Sequence, residues 1–199
     1  MRHLIDFGDL TRAEWDSLYQ RCSEIMDHPA DFMDACRGRV MASLFYEPST
    51  RTNFSFQTAM LRVGGTVFGF ADPKSTSTAK GETLKDTIKM VSGYADVVVM
   101  RNPKEGAAKA ASLYSDVPVI NAGDGGHMHP TQTTADLTTI TRLRGKVDGL
   151  SVGLCGDLKN GRTVHSLIKA LEEFAGNRFI LISTKELTLP DYLKHYITA

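Results

Sequence analysis

Three hydroxyl side chains and one guanidinium stand in consecutive positions of this chain, at Ser49, Thr50, Arg51 and Thr52. The apolar run 40–45 before them is typical of a buried strand, and residues 53–61 after them are typical of a helix. The N–H groups of a helix N-terminus, its dipole and a planar cation together favour an anion. The Ser49–Thr52 turn therefore predicts an anion site, and an ordinary helix cap followed by a surface arginine is the alternative at this point.

Four further residues that can bind or polarise an anionic group follow other predicted strands: Lys80, Arg101, His129 and Arg162. The carboxyl ends of parallel strands lie along one edge of an α/β sheet, so these residues and the Ser49–Thr52 turn are expected to meet there. Each of the four alone has an ordinary reading as a surface cation, a helix cap or a helix-start ion pair. Together, in a chain whose formal net charge is zero, they predict a pocket for a small, multiply anionic substrate.

Several catalytic classes have no support in the motifs of this sequence. It has no Walker A pattern, no Gly-x-Gly-x-x-Gly after a strand, no Gly-x-Ser-x-Gly elbow and no Cys/His nucleophile pattern. His127 and His129 could ligate a metal, but no third ligand stands at a recognisable spacing, so no metal is expected. What remains is catalysis by positioning and electrostatics, for which a phosphate leaving group and a polarised carbonyl are suitable targets.

The composition excludes several partners and locations. The 199 residues are 42% hydrophobic and 23% charged with no net charge, which gives no support for nucleic acid or a membrane surface as a partner. Cys22, Cys36 and Cys155 are far apart and fit free thiols in a reducing compartment. The N-terminus lacks the apolar core of a signal peptide, and no apolar run is long enough to span a membrane, so a cytoplasmic protein is expected.

Predicted strands and helices alternate along the whole chain, which predicts an α/β fold with a parallel sheet flanked by helices. The predicted strands cover residues 40–45, 66–70, 95–100, 117–122, 150–155 and 179–183. The predicted helices include residues 53–61, 84–94, 104–114, 131–144 and 163–174, with short ones at 31–36 and from 190 to the end of the chain. The polar loop 71–80 has no apolar anchor and is expected to be mobile or ordered by a partner.

The connection 144–149 is charged and punctuated by glycine, and it suggests a domain boundary. Residues 1–145 are predicted to form a complete N-terminal domain, and residues 146–199 part of a second, Rossmann-like α/β domain. With only two predicted strands, the second domain is expected to leave apolar faces uncovered.

Five segments resemble the motifs of one enzyme family in their order and spacing: Phe45–Thr52, Lys80–Thr83, Val99–Arg101, His129–Gln132 and Gly156–Ser166. The family is the aspartate carbamoyltransferases of pyrimidine (UMP) biosynthesis, and the resemblance extends over essentially the whole chain. It implies that the first domain binds carbamoyl phosphate and the second binds aspartate. It also implies the reaction, in which carbamoyl phosphate and L-aspartate give N-carbamoyl-L-aspartate and phosphate without a cofactor.

The resemblance implies a role for each candidate residue. Ser49, Thr50, Arg51 and Thr52 are expected to bind the phosphate of carbamoyl phosphate, with Arg51 also assisting its departure. Thr52, Arg101 and His129 are expected to polarise the carbamoyl carbonyl, and Gln132 to bind the carbamoyl amino group. The catalytic residues are therefore expected to be Arg51, Thr52, Arg101 and His129.

The aspartate substrate and the assembly are implied in the same way. Lys80 and Arg162 are expected to bind aspartate, with Lys80 reaching the pocket of a neighbouring subunit, where it also touches phosphate. The family implies a homotrimer whose active sites lie between subunits, and regulatory chains are a candidate further partner. A loop that carries Lys80 without an apolar anchor of its own would fit such sharing.

Two alternatives to aspartate carbamoyltransferase remain. Ornithine carbamoyltransferase shares the Ser-Thr-Arg-Thr turn, but it typically has arginine after that turn and cysteine after the His-Pro pair, where this chain has Asn53 and Thr131. Lys80-Gly81-Glu82 also favours aspartate, because a second cation suits a dicarboxylate. The other alternative is a non-catalytic homologue that binds carbamoyl phosphate.

The resemblance further implies a chain with two full domains, and this one ends inside the second. The family's later Arg-x-Gln and His-Pro-Leu-Pro motifs are absent, so a C-terminally truncated chain is expected. Nearly all the expected phosphate ligands precede Asp136. Carbamoyl phosphate binding is therefore expected to survive better than aspartate binding.

Overall fold

The computed structural model describes residues 1–126 and 128–197, so His127 and the end of the predicted terminal helix lie outside the described residues. Packing groups the chain into two compact units: Met1–Ile5 with Leu18–Gly125, and Asp6–Ser17 with Gly126–Ala199. Each unit is a group of residues that pack together. The boundary between the predicted domains 1–145 and 146–199 stays a prediction.

Strands and helices alternate as predicted. The strands of the described residues are β1 (Val40–Phe45), β2 (Thr66–Phe70), β3 (Val97–Asn102), β4 (Val119–Asp124), β5 (Ser151–Cys155) and β6 (Arg178–Ile182). Their α-helices are α1 (Arg12–Asp27), α2 (Thr50–Arg62), α3 (Leu84–Ser92), α4 (Ala107–Tyr114), α5 (Pro130–Arg144), α6 (Arg162–Glu172) and α7 (Asp191–Lys194). None of the helices among these residues has the length and apolar character needed to cross a membrane.

The first unit contains a four-stranded sheet in the order β2-β1-β3-β4, and all of its pairs are parallel. Buried side chains cover both faces of the sheet. Leu44 and Met100 belong to the core beneath α3 and α4, whereas Phe45 and Val99 pack with Met60 of α2. Both faces of a parallel sheet are normally covered, because the crossover connections between its strands place helices on them. The predicted α/β class is confirmed.

Several predicted boundaries were wrong by a few residues. β3 extends to Asn102, so Arg101 lies inside the strand rather than after it. α4 begins at Ala107 instead of residue 104, because Gly106 adopts a left-handed conformation, with φ of 76°, just before it. The predicted helix 31–36 is replaced by a 3₁₀ turn at Pro29–Phe32.

The second unit contains a separate two-stranded parallel sheet, β5-β6. Its core packs Leu154 and Leu158 against Ile168 of α6 and Leu193 of α7. Side chains of β6 are exposed, with Ile180 at 56% and Ile182 at 54%. The expectation that so small a sheet leaves apolar side chains uncovered is met in the described residues.

Candidate active site

The Ser49–Thr52 turn forms the N-terminal end of α2. Ser49 occupies the N-cap position with φ of −158° and ψ of 79°, but its hydroxyl makes no capping hydrogen bond. The N–H of Asn53 donates to the carbonyl of Ser49 at 3.0 Å. The N–H groups of residues 50–52 precede the first bonded turn and have no intrahelical acceptor. Together with the exposed side chain of Arg51, this end of α2 offers an anion several donors and one cation.

Arg101 lies directly beside the end of β1. It is the register partner of Phe45, and its carbonyl accepts a hydrogen bond from the N–H of Tyr46 at 2.9 Å. The pairing of β3 with β4 shifts register between Met100 and Asn102, at the position of Arg101. Such irregularities bend a strand and change the direction of a side chain. The residue is only 9% exposed.

The Arg101 guanidinium contacts two residues of the β1–α2 connection. Its Nε donates to Oε1 of Glu47 at 2.6 Å, and its Nη1 donates to Oγ1 of Thr52 at 3.5 Å. The structure thus brings together two predicted site residues, Thr52 and Arg101. The sequence analysis assigned no role to Glu47. Its position next to several predicted cations could have indicated that its carboxylate forms an ion pair with one of them.

Asn53 attaches the first turn of α2 to the sheet. Its side chain is buried, and Oδ1 accepts hydrogen bonds from Oγ of Ser43 at 2.8 Å and from Nε2 of Gln57 at 2.7 Å. An arginine in its place would bring a cation to the side of the buried Ser43 hydroxyl, where burial of an unpaired charge is costly. The asparagine at this position therefore has a local structural reason.

Lys80 ends a 3₁₀ turn, Ser77–Lys80, in the loop between β2 and α3. The loop contains a second 3₁₀ turn at Pro73–Ser75, so it has more local order than the sequence predicted. Thr76 caps the later turn by accepting a hydrogen bond from the N–H of Thr78 at 3.2 Å. The Lys80 side chain is exposed, and among the described residues it has no ion pair or hydrogen bond that would join it to the Ser49–Thr52 turn.

His129 lies in the second unit, at the N-cap of α5. It is 9% exposed. Its backbone N–H donates to Oγ of the buried Ser166 at 2.8 Å, and Ser166 in turn donates to Sδ of Met128 at 3.4 Å. The imidazole Nδ1 lies 3.5 Å from Oγ1 of Thr131. Ser166 of α6 therefore fixes the backbone that carries the imidazole, a role that sequence reasoning missed.

Gln132 projects from the first turn of α5 and is exposed. Its Nε2 donates to Oδ1 of Asp136, four residues later, at 2.9 Å. Gln132 can therefore present its amide to a ligand only by sharing or breaking this bond, whose surface position makes that inexpensive.

Arg162 begins α6, after a loop shaped by its own hydrogen bonds. Oδ1 of Asp157 accepts the N–H of Asn160 at 2.9 Å and that of Lys159 at 3.1 Å. These bonds, with that of the Asn160 N–H as the largest cause, hold the pKa of Asp157 below its ordinary value. Behind the loop, Nε2 of the buried His165 lies 2.9 Å from the carbonyl of Leu158. The start of α6 is therefore well defined in the second unit.

The described residues, 1–126 and 128–197, contain no group of at least three His, Cys, Asp or Glu side chains arranged to hold a metal ion. The prediction that the site uses no metal and no cofactor stays a prediction. Cys22, Cys36 and Cys155 form no disulfide with one another, and burial raises the pKa of Cys22 above its ordinary value.

The first unit is an α/β structure in which the candidate anion site, the Ser49–Thr52 turn, lies at the carboxyl end of the parallel strand β1. Residues 2–142 match the family model of the aspartate/ornithine carbamoyltransferase carbamoyl-P binding domain. The chain belongs to this family.

Curated relatives and solved structures extend the similarity over nearly the whole chain. The aspartate carbamoyltransferase catalytic subunit of Clostridium perfringens (strain ATCC 13124) is 56% identical over 196 residues, which are 98% of this chain and 64% of that protein. The subunit of Clostridium botulinum (strain Eklund 17B) is also 56% identical over 196 residues, again 98% and 64% of the two chains. This chain therefore spans about 64% of the length of the curated relatives it matches.

Two solved structures share the fold. The catalytic subunit of M. jannaschii aspartate transcarbamoylase has a TM-score of 0.90 and 49% identity, with 98% of this chain and 64% of that chain covered. Aspartate transcarbamoylase from Trypanosoma cruzi, solved in complex with N-(phosphonacetyl)-L-aspartic acid, has a TM-score of 0.90 and 37% identity, with 98% and 65% covered. The chain is thus a homologue of aspartate carbamoyltransferase catalytic subunits.

Proposed function

We propose that this chain provides the carbamoyl phosphate side of an aspartate carbamoyltransferase of pyrimidine biosynthesis. The observation that carries the proposal is the guanidinium of Arg101, oriented by Glu47 at 2.6 Å and directed to Thr52 at 3.5 Å beside the N-terminal end of α2. Donors fixed before the substrate binds are the arrangement that stabilises developing negative charge most effectively. The relatives with 56% identity are aspartate carbamoyltransferase subunits, which supports aspartate as the acceptor.

The phosphate group binds at the Ser49–Thr52 turn in this proposal. The N–H groups at the start of α2 and the hydroxyls of Ser49, Thr50 and Thr52 donate hydrogen bonds to its oxygens, and Arg51 adds a cation. Phosphate gains negative charge as the carbamoyl C–O bond breaks. Arg51 is exposed at the turn, and it stabilises that charge and so assists the leaving group.

The carbamoyl carbonyl is polarised by Thr52, Arg101 and His129. The amine of aspartate attacks the carbonyl carbon, the new C–N bond forms, and the carbonyl oxygen becomes an oxyanion that these donors stabilise. The C–O bond to phosphate then breaks, and the proton released by the amine leaves with the phosphate. Gln132 binds the carbamoyl amino group. No step needs a metal or a cofactor.

Aspartate is bound by Lys80 and Arg162 in this proposal. The Lys80 side chain is exposed and is therefore accessible to a neighbouring subunit, whose pocket it reaches in the proposed homotrimer. Regulatory chains are a further candidate partner, and the cytoplasm is the proposed location. The Trypanosoma cruzi relative was solved in complex with carbamoyl phosphate and aspartate, which supports the same pair of substrates here.

A colorimetric assay for the ureido product, run with aspartate and with ornithine, tests the reaction. Product from aspartate is expected from the complete protein, and product from ornithine alone would overturn the choice of acceptor. Separate titrations of this chain with carbamoyl phosphate and with aspartate test the division of the site. We expect carbamoyl phosphate to bind the more tightly, and tight aspartate binding without carbamoyl phosphate would contradict the proposal. Carbamoyl phosphate binding without any turnover would favour a non-catalytic homologue.

A further inference from the structure

Asn160 and Gly161 stand together in the loop between β5 and α6 of the second unit. No other asparagine of this sequence precedes a glycine. The side chain of Asn160 is exposed. The other asparagines of the chain are buried or half-buried: Asn53, Asn102, Asn121 and Asn177. The side-chain amide of an asparagine can react with the backbone nitrogen of the next residue, and glycine hinders that approach least because it has no Cβ. The pair is therefore a candidate site of covalent modification.

The backbone nitrogen of Gly161 is available for such a reaction. Gly161 has φ of −76° and ψ of 80°, and the N–H of Arg162 donates to the carbonyl of Asn160 at 3.0 Å. This geometry is an inverse γ-turn, which uses the N–H that follows the glycine and not that of the glycine itself. Among the described residues the Gly161 N–H donates no hydrogen bond.

Gly125 and Gly149, which each follow an aspartate and could form the same kind of ring, differ from Gly161 in this respect. The N–H of Gly125 donates to the carbonyl of Asn102 at 2.9 Å, and the N–H of Gly149 donates to the carbonyl of Ala175 at 2.9 Å. Attack by either nitrogen would first have to break that hydrogen bond. The Gly161 nitrogen needs no such step.

Asp157 holds the side chain of Asn160. Its Oδ1 and Oδ2 accept hydrogen bonds from Nδ2 of Asn160 at 3.3 Å and 3.1 Å, and Oδ1 also accepts the Asn160 N–H at 2.9 Å. Ring closure joins Cγ of Asn160 to the Gly161 nitrogen and expels Nδ2. Hydrogen bonds that fix this side chain and retain Nδ2 should therefore slow the reaction.

We propose that Asn160 is converted to aspartate and isoaspartate through a succinimide formed with Gly161, at a rate that Asp157 limits. The Gly161 nitrogen gives up its proton and attacks Cγ of Asn160, so that a new C–N bond forms. The bond from Cγ to Nδ2 breaks, and Nδ2 leaves as ammonia with that proton. Water then hydrolyses one of the two imide C–N bonds. Nothing is oxidised or reduced, and water is the co-reactant.

The consequence for the site rests on the proposed function, whereas the chemistry at Asn160 does not. Either product places a carboxylate two residues before Arg162, and isoaspartate also adds a methylene group to the main chain just before α6. Because we propose that Arg162 binds aspartate, the complete protein should bind aspartate about threefold more weakly once Asn160 is modified. Modified Asn160 with unchanged aspartate binding would contradict the proposed role of Arg162 and leave the modification itself established.

Peptide mapping by mass spectrometry during incubation of the full chain at mildly alkaline pH tests the modification. We expect the peptide that contains Asn160 to gain the mass difference between an amide and an acid, and to separate into aspartyl and isoaspartyl forms. Asn177 is the internal control, because the next N–H, that of Arg178, donates to the carbonyl of Leu150 at 2.8 Å. It should stay unmodified. Asp157→Ala should modify Asn160 about twofold to tenfold faster than the parent does.

Two variants complete the experiment. Asn160→Gln keeps an amide on a longer side chain, which closes the corresponding larger ring far less readily, and it should abolish the modification. Asp191→Ala removes an exposed carboxylate elsewhere in the second unit, one that pairs with Lys194 at 2.6 Å, and should keep the parent's rate. Circular dichroism verifies the fold of each variant. Unmodified Asn160, equal modification of Asn177, or a rate in Asp157→Ala no higher than that of the parent would each overturn the proposal.

Discussion

Oε1 of Glu47 lies 2.6 Å from Nε of Arg101, and the same guanidinium reaches Oγ1 of Thr52 at 3.5 Å. The side chain of Arg101 is 11% exposed and that of Glu47 is 24% exposed, so this ion pair is better shielded than an ordinary surface pair. The carboxylate occupies one edge of the guanidinium and leaves its terminal nitrogens for other acceptors. Arg101 is therefore oriented before any anion binds.

Replacing Glu47 by alanine tests how much the orientation of Arg101 contributes beyond its charge. Arg101 would keep its charge but lose the contact that fixes its plane. We expect carbamoyl phosphate to bind about tenfold more weakly, a loss of ~1.4 kcal/mol, because its carbonyl depends on that orientation. Inorganic phosphate, for which we propose the Ser49–Thr52 turn as the binding site, should change by less than about threefold. Isothermal titration calorimetry measures both. Equal weakening of the two ligands would show that Glu47 supports the whole site rather than Arg101.

Arg51→Ala should affect the two ligands equally, in contrast to the replacement of Glu47. Its side chain is exposed, so Arg51→Ala should change the free energy of unfolding by no more than ~0.5 kcal/mol. It should weaken inorganic phosphate and carbamoyl phosphate alike, by about tenfold or more, because a charge-assisted contact to the phosphate is lost. Arg62→Ala, which removes an exposed arginine from the other end of α2, is the matched control and should bind as the parent does. A large loss of stability in Arg51→Ala would mean that this side chain is structural.

The N-terminal segment should make stability depend on pH. The backbone N–H of Val119 donates to Nδ1 of His3 at 3.1 Å, so the folded chain needs that nitrogen unprotonated. Burial, followed by the positive charges of the N-terminus and Lys109, lowers the pKa of His3 below 6.5. The unfolded chain therefore binds the proton more readily. The contribution of His3 to stability is complete above pH 6.5 and is lost as the pH falls through the lower folded pKa.

Urea unfolding between pH 8 and pH 5 measures this dependence. His3→Asn keeps an acceptor that does not titrate, so it should flatten the part of the pH dependence due to this site. His28→Asn, at an exposed position, is the control and should retain the parent's slope. An unchanged slope in His3→Asn would locate the pH dependence elsewhere.

Much of the fold was predictable because the apolar pattern of each strand or helix is contained within its own segment of the sequence. β1 was predicted at 40–45 and observed at Val40–Phe45, and β2 at 66–70 and observed at Thr66–Phe70. These two strands are bounded by local breakers, Pro48 and Gly65, that the sequence displays. The end of β3 was missed because Arg101 is a charged residue inside a strand. Only its ion pair with Glu47, a tertiary contact, explains its burial.

The candidate site also contains some residues that the sequence could identify and others that it could not. The Ser49–Thr52 turn was recognisable because its donors are adjacent in sequence. Glu47 and Ser166 were missed because each acts on a residue distant along the chain, Arg101 and His129 respectively. No local pattern reports a hydrogen bond of that separation, so positioning residues are the part of a site least visible to sequence reasoning.

Ser166 gives a test of the support beneath His129. Its hydroxyl is fully buried and accepts the N–H of His129 at 2.8 Å. Ser166→Ala should lower the free energy of unfolding by ~1–3 kcal/mol, because a buried backbone donor loses its partner. Ser17→Ala removes an exposed hydroxyl of α1 that donates to the carbonyl of Ala13 at 2.9 Å, and it should cost much less. A Ser166 variant as stable as the Ser17 control would show that another acceptor replaces the hydroxyl.

The contact between Asn53 and Ser43 is best tested by a double-mutant cycle. Asn53→Ala leaves the buried hydroxyl of Ser43 without its partner at 2.8 Å, so it should destabilise the chain by ~1–3 kcal/mol. Ser43→Ala alone should cost less, because Gln57 still donates to the asparagine. The double variant should be more stable than the sum of the two losses predicts, by ~0.5–2 kcal/mol, because no unsatisfied group remains at this contact. Urea unfolding of the four proteins measures the coupling, and strict additivity would mean that the side chains act independently. Asn53→Arg should be the least stable variant at this position, since it brings a cation to the buried hydroxyl without a carboxylate to balance it.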